Sequence, residues 1–93
     1  MIVAVLQVEL LLPESFSLKD KRFVVQGLKK RIRRGFNVSV AEVDHQDKWQ
    51  RACLAVACVA TDSQVIDSLF AKVQNLVSED NRAEIVDHRV DWL

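Results

Sequence analysis

The chain has 93 residues, of which 49% are hydrophobic and 28% are charged, and its thirteen basic side chains equal its thirteen acidic ones. This length predicts one domain spanning residues 1–93, with enough apolar residues for a core that buries roughly 60–65% of the unfolded chain's surface. Scarce glycine and proline exclude a disordered chain, and no apolar run reaches the ~18 residues of a membrane-crossing helix.

The first predicted element is a strand, Ile2–Leu12, which Pro13 ends. The segment lacks the basic start and small-residue cleavage site of a signal peptide, and its Gln7 and Glu9 fit a strand better than a signal peptide. We therefore expect a cytoplasmic protein that has no contact with a membrane.

A strongly basic helix is predicted after the proline. Ser17 is its expected N-cap, with Asp20 three residues later in a weak capping box, and Gly35 fits a C-terminal position with positive φ. The segment from Ser17 to Phe36 holds eight of the thirteen basic residues, and its one acid is Asp20.

The rest of the chain predicts three more strands and a second helix. Strands are expected at Phe36–Asp44 and, after a polar hairpin loop, at the nearly all-apolar segment Trp49–Ala60. Thr61 or Asp62 caps the second helix, and Ala83–Leu93 forms the last strand. The second helix has apolar residues at helical spacing, namely Val65, Ile66, Leu69, Phe70, Val73, Leu76 and Val77.

The order βαββαβ predicts an α+β, ferredoxin-like fold, with a four-stranded antiparallel sheet and both helices on one face. In that fold the first and third strands are central and the second and fourth lie at the edges. The composition agrees, because the two central candidates are the most apolar segments of the chain.

This fold leaves one face of the sheet without helices. The third strand is apolar on both faces, and a large uncovered apolar face is uncommon on a monomer. One expectation is a homodimer through this open face, and the other is a face of small side chains that stays in contact with water.

Two cysteines lie in the third strand. Cys53 and Cys58 are five residues apart, so strand alternation places them on opposite faces of the sheet. We therefore predict two buried structural thiols that share neither a disulfide nor a metal ion.

The basic helix separates into two stripes when its residues are projected at about 100° each. Its apolar stripe faces the predicted core, and Phe23 lies at the margin of the charged stripe. Lys21 falls near the apolar stripe, an unusual place for an ammonium, and first-turn cations oppose the helix dipole. The predicted anion- or nucleic-acid-binding residues are Lys19, Lys21, Arg22, Lys29, Lys30 and Arg33.

Three functional hypotheses follow from these residues. The first is a non-catalytic module that binds RNA or the ribosome through the basic helix. The second is a protein-interaction domain that uses the open sheet face or Phe23, and the third is a small enzyme acting on an anionic substrate at the start of the helix. A charged helix face that is merely solvated is the alternative to all three.

No catalytic residue, metal ligand or cofactor is predicted. Glu42, Asp44, His45 and Asp47 surround the expected hairpin, where short polar loops commonly carry such residues. Strand alternation is expected to place Glu42 and Asp44 on one face and His45 on the other, which does not favour a metal site.

The segments "SLKDKR", "FNVSVAEVD" and "WQRA" resemble the YlxP-like family, bacterial proteins labelled as a domain of unknown function. The resemblance covers nearly the whole chain and implies a ferredoxin-like fold with no established activity. Genes of the family often stand near those for ribosome maturation and translation factors, which implies work on RNA or the ribosome. The matching positions are Ser17, Leu18, Lys19, Lys21, Arg22, Phe36, Asn37 and Glu42.

Overall fold

The structure is a four-stranded antiparallel sheet with two helices, and the computed structural model describes all 93 residues. The strands lie in the order β2-β3-β1-β4, so the apolar β1 and β3 are central, and the predicted ferredoxin-like α+β fold is confirmed. The elements are β1 (Ile2–Leu11), α1 (Leu18–Gly35), β2 (Ser39–Asp44), β3 (Arg51–Ala60), α2 (Ser63–Ser78) and β4 (Glu84–Trp92). Neither helix is long and apolar enough to span a bilayer.

The hydrophobic core lies between the sheet and the helices. Alternate residues of β1 and β3 point into it, which is the period-two pattern of a strand. The helices add residues spaced three or four apart, and each large side chain that is fully buried stabilises the fold by about 1.5–3 kcal/mol. The core residues that belong to the two helices are Val24, Val25, Leu28, Ile32, Ile66, Phe70, Val73 and Val77. Val65, which was predicted to join them, is mostly exposed.

The helix starts agree with the sequence prediction, but the end of α1 does not. Ser17 Oγ accepts a hydrogen bond from Asp20 N at 3.0 Å, and Asp20 Oδ2 accepts one from Phe16 N at 3.1 Å. No glycine has a positive φ, so the prediction for Gly35 was wrong. The helix ends at Gly35, and Phe36 is the C-cap, whose extended backbone turns the chain away while its N–H still donates to Ile32 O.

A bulge in β2 overturns one prediction of side-chain direction. Glu42 pairs with Leu54 and Asp44 with Cys53, and the register shifts between these two pairs. Because Leu54 and Cys53 are consecutive, Glu42 points to the helix side and Asp44 to the open side. The prediction that these two carboxylates share a face was therefore wrong.

Lys21 is buried under the β2–β3 hairpin, with only 1% of its surface exposed. Its ammonium donates to His45 O and to Arg51 O at 3.2 Å, and it lies 3.0 Å from Glu42 Oε2. These contacts fasten the first turn of α1 to both ends of the hairpin. Lys21 is therefore not part of an exposed contact surface, and its inclusion among the predicted binding residues is corrected.

Replacement of Lys21 tests this fastening role. Lys21→Met leaves a half-buried carboxylate and two carbonyl groups without their cation, so we expect the free energy of unfolding to fall by about 3 kcal/mol. Lys19→Met, which removes an exposed ammonium from the same helical turn, is the matched control and should change it by no more than about 0.5 kcal/mol. Denaturant unfolding measures both values. Equal losses in the two variants would contradict a structural role specific to Lys21.

Candidate functional site

Five of the six predicted binding residues form one face of α1. We call Lys19, Arg22, Lys29, Lys30 and Arg33 the basic face. Their successive spacings of three, seven, one and three residues place them on the same side of the helix. Lys29 is partly exposed and the other four are exposed, so the helix presents this set to solvent.

None of the five cations of the basic face has a carboxylate partner. Lys19, Arg22, Lys29 and Lys30 take part in none of the ion pairs of the structure. Arg33 donates one hydrogen bond, to Val40 O at 3.1 Å, which ties the end of α1 to the edge strand β2. The cations of this face are therefore either solvated or available to bind an anionic ligand.

The opposite flank of α1 is held by a buried carboxylate. Asp80, in the turn between α2 and β4, accepts a hydrogen bond from Arg31 at 2.6 Å and two side-chain bonds from Arg82 at 2.7 and 2.9 Å. The bonds from Arg82 and then Arg31 outweigh the opposing effect of burial and hold the pKa of Asp80 well below its usual value. Asp80 in turn raises the pKa of Arg82.

This network positions a guanidinium over an exposed aromatic ring. Arg82 lies with its central carbon 5.7 Å from the centroid of Phe23, within the range of a cation–π contact. Phe23 is 74% exposed, although it lies on a helix whose other exposed residues are mostly charged. Phe23 and Arg82 therefore form an extension of the basic face toward the α2–β4 turn.

Two clefts meet at this pair, and Lys19, Phe23 and Arg82 line both of them. The outer cleft, about 520 Å³, contains no acidic residue and is completed by Arg22, Gln26, Gly27 and Lys30. The inner cleft, about 480 Å³, contains two carboxylates and is completed by Leu12, Glu14, Ser15, Asp20 and Val24. Both volumes fall in the range of about 300–1,000 Å³ that is typical of small-molecule sites.

The start of α1 gives no support to the hypothesis of an enzyme acting on an anion there. Ser17 Oγ already accepts a hydrogen bond from the Asp20 N–H of the first turn, and the Asp20 carboxylate accepts one from Phe16 N just before the helix. Lys21 is turned inward, and the exposed carboxylate of Asp20 would repel an anionic substrate.

The open sheet face carries the opposite charge. By register, five carboxylates and two arginines point to this side of the sheet. The carboxylates belong to Glu9, Asp44, Glu84, Asp87 and Asp91, and the guanidinium groups to Arg51 and Arg89. Although the net charge of the chain is zero, the basic face of α1 is positive and the open face of the sheet is negative.

Apart from Leu11, the apolar part of the open face lies mainly at one end of the sheet. Val3, Val5, Ala55, Ala57 and Val59 meet there in register. Only Val59 is more than half exposed among them, at 64%. The face is therefore smaller in apolar area than the sequence pattern of β3 suggested.

Both thiols are free and buried, as predicted. Cys53 lies on the open side of β3, opposite Glu9, whereas Cys58 faces the core. Burial, together with the negative charge of Glu9, raises the pKa of Cys53 to about 11.

We expect both thiols to be inert in the folded protein. A thiolate is the reactive species, and at neutral pH Cys53 stays protonated while Cys58 is enclosed by the core. A disulfide reagent should label neither cysteine of the native protein quickly, and both after unfolding in denaturant. Rapid native labelling, measured by absorbance of the released chromophore, would contradict this.

Asp80 offers a test with a defined pH dependence. Asp80→Asn should lower the free energy of unfolding at neutral pH by about 1–2 kcal/mol, since its arginine partners are half exposed. Because folding lowers the pKa of Asp80, its contribution is present above the usual value of 3.8 and is lost as the pH falls below it.

Asp67→Asn is the matched control, because it removes the same charge from an exposed position of α2. The difference in stability between the two variants should therefore narrow on acidification, which denaturant unfolding over a pH series measures. A difference that stays constant through the acid range would contradict the role of the Asp80 carboxylate.

Arg82 was missed by sequence reasoning. It lies in the short turn before β4, far along the chain from Phe23, and no periodicity connects the two positions. The one local signal is the turn-forming pair Asp80–Asn81, which precedes it.

Comparisons with known proteins agree with this fold and assign no activity. The chain is 29% identical over 84 residues to "Uncharacterized protein YlxP" of Bacillus subtilis (strain 168), covering 90% of this chain and 91% of that protein. It also superposes, with a TM-score of 0.60 and 11% identity, on the solution NMR structure of a de novo designed protein with a ferredoxin fold, covering 100% of this chain and 84% of that one. Residues 3–90 match the family described as "Protein of unknown function (DUF503)", and the chain therefore belongs to this bacterial family.

Proposed function

We propose that the protein is a non-catalytic module that binds structured RNA, alone or within the ribosome, through the basic face of α1. The observation that carries this proposal is the set of exposed cations on one helix face that have no carboxylate partner. Their expected ligand is a polyanion, and the expected location is the cytoplasm, where such RNA is found.

The distribution of charge favours a defined orientation on RNA. Phosphates attract the basic face, while the carboxylates of the open sheet face are repelled. A neutral chain with separated charges is attracted to a polyanion in one orientation only. This also accounts for a total charge of zero in a protein with the proposed activity.

Contacts from lysine and arginine to phosphates hold a protein on the nucleic acid without reading its bases. The central strands offer no exposed aromatic side chain for the stacking used by RNA recognition motifs. We therefore expect the basic face to contribute affinity and strong salt dependence, with little preference for sequence.

An alternative proposal is a protein-interaction module that pairs with a second copy of the chain through the open face. It is favoured by the exposed Val59 of β3, which lies in register with Val3 of β1. It is also favoured by Leu93, which is 81% exposed and whose N–H donates to Val3 O. The carboxylates that share this face oppose it, because two identical acidic surfaces repel each other. We therefore rank it second.

A charge-matched pair of variants tests the RNA proposal. The first replaces Lys19, Arg22 and Lys30 by Gln, and the control replaces Lys48, Arg89 and Lys72, which lie outside the basic face. Both lose two lysines and one arginine, so any difference between them comes from position. Arg33 is left unchanged because it bonds to β2.

We expect the first variant to bind an RNA hairpin and ribosomal particles more weakly and the control to bind like the wild type. Its plot of log affinity against log salt should be shallower, by up to about 0.9 per lost phosphate contact if the value for duplex DNA applies. Fluorescence anisotropy over a salt series and co-sedimentation measure these effects. Equal affinity and slope in all three proteins would refute the proposal and leave the interaction module as the leading hypothesis.

A further inference from the structure

We propose that the Phe23–Arg82 pair is a stacking site for an unpaired base of the bound RNA, an inference that rests on the proposed function. The phosphates next to that base would lie in the outer cleft on Lys19, Arg22 and Lys30. The base would enter the inner cleft and stack on the ring of Phe23.

The first support is the exposure of Phe23 in a charged surrounding. A single exposed aromatic residue is ordinary, but this ring has a guanidinium against it that is fixed by Asp80. An aromatic ring beside an arginine on a positive surface is the combination that single-stranded nucleic acids use, since every base has a face that can stack.

The second support is the contrast between the two clefts. The outer cleft has four basic residues and no carboxylate, so it suits phosphates. In the inner cleft the charges of Glu14 and Asp20 balance those of Lys19 and Arg82, so this cleft attracts phosphates less than the outer cleft does and accepts a neutral base. A nucleotide that spans both clefts therefore has one favoured direction, with its phosphate outward and its base inward.

This arrangement distinguishes unpaired from paired RNA. The bases of an A-form helix are stacked on each other and cannot reach a ring on the protein surface, whereas those of loops, bulges and ends can. The basic face alone would bind both forms. The Phe23 site adds affinity only for RNA with a free base.

The test compares Phe23→Ala and Phe23→Trp with wild type on two RNAs of nearly equal charge. One is a single-stranded oligouridylate of about twenty nucleotides, and the other is a blunt duplex of about ten base pairs, which has nearly the same number of phosphates. Phe16→Ala is the matched control, because Phe16 is also a mostly exposed phenylalanine but does not line either cleft. Circular dichroism checks that each variant is folded.

We expect Phe23→Ala to weaken single-strand binding about 5- to 150-fold, the range for loss of one stacked base, with an unchanged salt slope. Phe23→Trp should restore it, Phe16→Ala should leave it unchanged, and duplex binding should be the same in all four proteins. That pattern supports the stacking site.

Three results would overturn it. If Phe23→Ala binds the single strand like wild type while the Lys19, Arg22 and Lys30 variant is weakened, the stacking site is refuted and the RNA proposal stands. If Phe23→Ala loses single-strand and duplex binding equally, the ring has a structural role rather than a stacking one. If the wild type binds neither RNA nor ribosomal particles, the proposed function fails, and the stacking site fails with it.

Discussion

The buried ammonium of Lys21 is the interaction on which the placement of the helix and the hairpin depends. A charged group in a hydrophobic environment is tolerated only when it is hydrogen-bonded and paired with an opposite charge. Here two carbonyls accept hydrogen bonds from the ammonium, and the Glu42 carboxylate forms an ion pair with it. His45 can present its carbonyl to Lys21 because the hairpin bends there, at the one residue with a positive φ, 62°. The first turn of α1 is thereby held against β2 and β3, and this contact fixes which side of the helix faces solvent.

The carboxylate of Asp80 fastens the other side of α1 to a neighbouring turn. Asp80 binds Arg31 of α1 and Arg82 of the α2–β4 turn, so the turn is held next to Phe23. The two clefts owe their shape to this contact, since Arg82 lines both of them. Lys21, Arg31 and Arg82 are therefore held in structural ion pairs. The cations of the basic face stay without a carboxylate partner.

The separation of charge between the two sides of the sheet connects the fold with the proposed function. Covering one face with helices places a basic helix on that side, and strand alternation sends the carboxylates of β1, β2 and β4 mainly to the other. Under the proposed function, this asymmetry gives the protein one favoured orientation on a polyanion although its total charge is zero. The same asymmetry opposes pairing of two copies through the acidic face.

The sequence by itself determined the element order, the ferredoxin-like fold and the outward direction of Lys19, Arg22 and Lys30, because strand and helix periodicities are local properties of the chain. It also marked Lys21 as misplaced without showing the reason. Only the tertiary structure decided that Lys21 binds the hairpin, that a bulge sends Glu42 and Asp44 to opposite faces, and that Arg82 reaches Phe23. These features depend on contacts between residues that are distant in the chain and come together only when the helices and strands pack. No local sequence pattern predicts such contacts.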